Sequence, residues 1–111
     1  MEKDLGKSST GIQPNVAALL SYVLGIVTGI VFFLIEKENK FVRFHAMQSM
    51  LAFGSLFVLQ VVIPIVPFIG WMLVPLVSLL GLVVWILLMV KAYQGEMFKL
   101  PVIGDFAEQK I

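Results

Sequence analysis

Between Arg43 and Lys91 the chain runs from Phe44 to Val90 without one Asp, Glu, Lys or Arg, interrupted near its middle by Pro64, Pro67 and Gly70. A helix rising about 1.5 Å per residue needs about 20 apolar residues to cross roughly 30 Å of hydrocarbon. The run is too long for one such helix and right for two joined by a turn. A second uncharged run, Ser8 to Ile35, supplies one more. The expected fold is therefore all-α: an integral membrane protein with three transmembrane helices, 15–35, 46–64 and 70–90. A polar flexible tail, 1–14, precedes them. An amphipathic cytoplasmic segment, 36–45, leads into the second helix, and an interfacial tail, 91–111, follows the third. All belong to a single membrane domain.

Composition agrees. In 111 residues, 59% are hydrophobic and 14% charged, with a mean hydropathy of +0.99; a soluble domain this small could not hide so much apolar surface. The net charge is +1 and the basic residues are scattered singly, so nucleic acid is not an expected partner. Without cysteine there is no disulfide, thiolate nucleophile or thiolate metal site. The apolar stretch Val16 to Ile35 is longer than a signal-peptide core, and Glu36, Lys37 and Glu38 follow it in place of a cleavage site. It should stay attached.

Pro14 and Asn15 open the first span, since proline at a helix start sacrifices no needed hydrogen bond. Pro75 falls early in the third, where it can kink the helix. Trp71 and Tyr93 stand near its two ends as interfacial anchors, with Trp85 deeper as a packing residue. Three spans place Lys3 and Lys7 on one side and the other six basic residues, Lys37, Lys40, Arg43, Lys91, Lys99 and Lys110, on the other. By the retention of basic residues in the cytoplasm, the expectation is a multi-pass cell-membrane protein with its N-terminus outside and its C-terminus cytoplasmic.

Ser21, Gly25 and Gly29 recur at spacings of four, a small-residue face that lets helices approach closely in lipid. It reads either as a homodimer seam or, more simply, as packing against the chain's other spans. The segment EKENKFVRFHAMQS, from Glu36 to Ser49, puts charges and aromatics at the membrane boundary. On a helix, Phe41, Phe44 and Gln48 share one face, Lys40 and Arg43 reach toward lipid phosphates, and His45 and Gln48 can meet. Together with Tyr93, Lys99 and Asp105 they make up a candidate interfacial and partner surface; solvated charge with aromatic anchoring is the plainer alternative. Asp105 and Glu108 resemble a short helix start carrying Phe106 as an anchor, or else a frayed terminus.

His45 is the sole histidine and the spans hold no acid, so neither a metal site nor a catalytic base is expected, and no cofactor. Ser21, Thr28, Ser55, Gln60 and Ser78 are the polar groups of the spans; coupled transport normally shows an intramembrane charge. Gln60, the most polar of them, should face another helix or a small wet cavity.

Arg43, Phe44, His45 and Gln48, with the tail from Tyr93 through Gly95 to Pro101, Gly104 and Asp105, resemble small three-span prokaryotic membrane proteins of unknown function grouped with the chloroplast import component Tic-twenty. The resemblance covers nearly the whole chain from Asn15 and implies a fold without catalytic residues. The plastid relatives carry four spans and serve protein translocation. The expected role is a non-enzymatic accessory or assembly subunit acting through helix packing and its cytoplasmic surface. The alternative is a component of an oligomeric pore or translocation system, with Ser55, Gln60 and Ser78 lining its path. Membrane lipid is the expected partner, and a second copy or another membrane protein remain open. A lipid-handling enzyme using His45 is the least favoured reading.

Overall fold

The computed structural model describes residues 6–111; Lys3 and the rest of residues 1–5 lie outside the described residues. Among these, five α-helices follow one another: α1 Pro14–Val23, α2 Ile26–Ile35, α3 Lys40–Val62, α4 Gly70–Tyr93 and α5 Ile103–Gln109, with a 3₁₀ turn, Ile63–Ile65, ending α3.

The uncharged run from Asn15 to Ile35 is not one span. It breaks at Leu24 and Gly25 into two helices of ten residues each. Gly25 sits at φ +61, a backbone conformation that a Cβ makes costly. The chain then doubles back. Ala17 of α1 and Phe32 of α2 pack into one cluster with Val42 and Ala46. The Ser9 amide, a few residues before α1, bonds the Glu36 carboxylate just after α2. A straight helix would hold those ends about 30 Å apart.

Each arm of this hairpin reaches about 15 Å, half the thickness of a bilayer core. The broken backbone is satisfied from within the protein. Thr28 Oγ1 accepts from the Leu24 amide and donates to the Ser21 carbonyl, both at 3.1 Å. Ser49 Oγ donates to Gly25 O at 2.9 Å, and Trp85 Nε1 to Tyr22 O at 2.7 Å. Irregular backbone at membrane depth is tolerable on that condition.

α3 begins at Lys40 rather than near Ala46, because Asn39 caps it by accepting from the Val42 amide at 3.1 Å. The segment expected as a boundary loop is therefore mostly the first turns of the long helix. α3 with its 3₁₀ turn, Lys40–Ile65, and α4, Gly70–Tyr93, are long and apolar enough to cross a bilayer. Only 22% and 11% of their most apolar stretches are buried, the reverse of a soluble core helix. α4 continues through Pro75.

Gly29 is buried, and a Cβ there would meet Ala46 O at 3.0 Å and Ser49 Cβ at 3.2 Å. The small residue at position 29 thus serves packing of α2 on α3 within the chain. Gly25 does not continue that face: it makes the turn.

Sidedness changes with the hairpin. Lys7 O accepts from Asn39 Nδ2, and Ser9 Oγ accepts from the Lys37 and Glu38 amides, all at 3.2 Å. The described part of the N-terminal tail is tied to the 36–39 loop, not set on the opposite side of the molecule and not loose. Lys7 joins the basic residues from Lys37 to Lys110 at one end.

Candidate functional site

Tyr22, His45 and Gln48 converge where α1, α3 and the segment after α4 meet. α4 ends at Tyr93, and Gly95, at φ +80, turns the chain into a non-helical strap, 96–100. The strap runs back over the start of α3. Gln48 carries it. Its Nε2 donates to Phe98 O and to Tyr22 Oη, and its Oε1 accepts from the Leu100 amide, each at 2.9 Å.

The protons of this network follow from the acceptors. Glu96 O can only accept, so His45 Nε2, 2.9 Å away, carries a hydrogen. His45 Nδ1 then accepts a hydrogen bond from the Tyr22 hydroxyl at 2.6 Å. Tyr22 Oη in turn receives the Gln48 amide. Phe41, Phe44 and Tyr22 surround the imidazole edge to face, with ring centroids 4.6, 5.1 and 5.4 Å away. Tyr22, Phe44, His45 and Gln48 are all fully buried.

The expected partner surface is corrected accordingly. Phe41, Phe44, His45 and Gln48 are buried and point inward, while Lys40, Tyr93, Lys99 and Asp105 are exposed. An aromatic face that lipid would welcome finds the hairpin and the strap instead, which also supply hydrogen-bond partners that lipid lacks.

Arg43 lies between these groups. Its Nη1 donates to Phe33 O at 3.0 Å and Glu36 O at 2.7 Å, and its guanidinium lies 4.0 Å over the Phe33 ring. A cation on the last carbonyls of α2 satisfies groups the helix leaves open and opposes its dipole. It is spent inside the protein rather than extended to a phosphate.

Glu36 is buried beside it. Burial pushes its carboxyl up, but the Asn39, Ser9 and Glu38 amides aimed at its oxygens outweigh this and hold it below the usual carboxylate range. Lys99 bonds Glu108 Oε1 at 2.6 Å and lies 3.7 Å from Asp105 Oδ1. The Glu108 hydrogen bond raises its pKa. α5 is packed on this end of α3, with Gly104 and Ala107 buried, rather than spread on the membrane surface.

Ser21 is buried and bonds Ala18 O at 2.6 Å. Gln60 and Ser78 face one another at 2.6 Å far from the strap, while Ser55 lies in a different groove with Met50 and Gly54. The three do not line one path within a single chain. Tyr22, Glu36 and Asn39 went unselected by sequence reasoning. Tyr22 carried a signal, a single phenol within an apolar run of the length expected for a span.

Two long, lipid-apt helices, a hairpin of two ten-residue apolar helices and a strap locked at one end make a small all-helical chain suited to a membrane. The chain belongs to the family described as the magnetosome magnetite crystal formation protein family, which it matches over residues 11–107. It is 52% identical over 105 residues to the UPF0132 membrane protein MJ1443 of Methanocaldococcus jannaschii, covering 95% of this chain and 94% of that one. It is 50% identical over 100 residues to a UPF0132 membrane protein of Archaeoglobus fulgidus, covering 90% and 97%. These matches support a small prokaryotic membrane protein family of unknown function and carry no link to the chloroplast import component. No solved structure matches.

Proposed function

We propose that the protein is a non-enzymatic accessory or assembly subunit of a membrane complex, acting through the charged end of the molecule. The observation that carries this reading is the buried Tyr22–His45–Gln48 network. It holds the strap and α5 in fixed register, so that Lys40, Tyr93, Lys99 and Asp105 keep set positions at the membrane boundary. The groups with chemical potential are themselves consumed. Both His45 nitrogens and all of Gln48's bonds to the strap serve structure.

Lys7, Lys37, Lys40, Arg43, Lys91, Lys99 and Lys110 share this end, and basic segments stay in the cytoplasm. The reading therefore places both the N-terminal segment and the C-terminal tail inside, with α3 and α4 crossing the cell membrane and the α1–α2 hairpin entering and leaving from the same side. The family's description names crystal formation. Among the described residues no group of three or more His, Cys, Asp or Glu could hold a metal ion, and the reading rests on the boundary surface instead.

Amine-reactive crosslinking from Lys37 and Lys99 in native membranes tests the proposal. Recovery of a defined partner protein is expected; recovery of lipid and self alone would overturn it. A second reading, a component of an oligomeric pore or translocation system, is favoured by one observation: the hairpin's turn at Gly25 lines the same groove as Gln60 and Ser78. Absence of conductance and of peptide-dependent current in reconstituted vesicles would remove it.

A further inference from the structure

The arms of the α1–α2 hairpin reach about 15 Å, half the thickness of a bilayer core, so its turn at Gly25 meets α3 and α4 partway along their length. Between them runs a groove of about 400 Å³, bordered by Phe53, Leu56 and Gln60 of α3 and by Val77, Ser78 and Gly81 of α4. Its lining is apolar apart from one polar pair. Gln60 Nε2 donates to Ser78 Oγ at 2.6 Å, and Ser78 Oγ in turn donates to Val74 O at 2.9 Å. The serine is then used up. Gln60 Oε1 is closed off from its surroundings and has no partner, and its amide keeps a second N–H.

An acyl chain would fill the groove without helping Gln60, because it brings no donor. A carbonyl left unpaired in hydrocarbon is costly, and polar side chains there find partners on neighbouring helices. The occupant must therefore be proteinaceous at this depth and must carry a donor. A primary amide is its own complement: each offers an N–H and a C=O, which is what a twofold contact requires, where residue i of one copy meets residue i of the other. Pairing requires each Gln60 to release Ser78 and swing its amide outward, since in the single chain Oε1 is closed off.

We propose that the protein self-associates through the far halves of α3 and α4, with a second copy seated on this groove and the two Gln60 amides paired across a twofold axis. The contact lies away from the charged end and does not rest on the accessory-subunit reading; either can fail alone.

The chain has no cysteine, so single cysteines report cleanly. In full-length protein in lipid bilayers, Phe57→Cys flanks Gln60 on α3, whereas Val58→Cys points to the opposite side. Both positions are exposed in the single chain. Oxidation is expected to link Phe57→Cys copies and to leave Val58→Cys copies single. Adding Gln60→Leu to Phe57→Cys should lower the linked fraction at least tenfold, while hydrogen exchange of the strap stays unchanged, which separates lost pairing from lost folding. Equal linking from both positions, a wild-type chain that stays monomeric, or linking that survives Gln60→Leu would overturn the proposal. So would capture of other membrane proteins without self.

Discussion

Gln48→Leu isolates what holds the strap. Leucine keeps the site apolar and filled but removes the acceptor for the Leu100 amide and the donors to Phe98 O and Tyr22 Oη, three bonds of 2.9 Å. Two of the three abandoned groups belong to the strap. At about 1 to 1.5 kcal/mol net for each bond, the docked strap loses about 2 to 3 kcal/mol. A factor of ten corresponds to about 1.4 kcal/mol, so opening should rise roughly 30- to 150-fold. Tyr22 keeps its 2.6 Å bond to His45, so α1 and α3 should stay together. Amide hydrogen exchange on the full chain in bilayers reads this directly. The Leu100 amide and those of α5 should accelerate by that factor, and those in the far half of α3 should not. Exchange at Leu100 equal to wild type would show that the exposed Lys99 ion pairs hold the strap, against the usual 0 to 1 kcal/mol of such pairs, and would refute the argument.

Gly104→Ala should loosen the same region, because its Cβ would meet the Lys99 Cα at 2.6 Å and Gln48 Oε1 at 3.0 Å; a loss of about 1 to 3 kcal/mol in detergent unfolding is expected, and an unshifted midpoint would count against the close approach. Glu36 gives a pH signature. Its carboxyl is held below its unfolded value of about 4.3, so the unfolded chain binds the proton first on acidification. Its stabilisation is complete above that pH and is lost as pH falls through the depressed folded value. Glu36→Gln should be less stable than wild type at neutral pH and should show a flatter decline below about pH 4; parallel curves would remove Glu36 as the cause.

Much of the architecture was legible. The uncharged run from Phe44 to Val90, broken by prolines and a glycine, marks α3, its turn and α4 because charge exclusion and helix length act on any such chain in lipid. Asn39 announces the start of α3 as a cap, although the richer charge pattern around it drew the boundary six residues too late. The direction of Phe41, Phe44, His45 and Gln48 was not legible. An aromatic stripe at helical spacing fits lipid and protein equally well, and the partners that settle it, Tyr22 and the strap from Glu96 to Leu100, lie far from it along the chain, 23 or more residues from His45 and Gln48.

The stretch from Asn15 to Ile35 marks the divide most clearly. By itself the sequence determined that these residues are apolar, uncharged and helical, and that Gly25 can take a conformation other residues resist. A straight span and a folded hairpin both satisfy that description. The choice depends on what meets the backbone groups at the break: Thr28 of α2 takes the Leu24 amide and the Ser21 carbonyl, and side chains of other helices, Ser49 on α3 and Trp85 on α4, add bonds to the Gly25 and Tyr22 carbonyls. Only with them in place can the chain turn back inside the membrane, and that turn brings the N-terminal segment, the 36–39 loop and the strap to one end of the molecule.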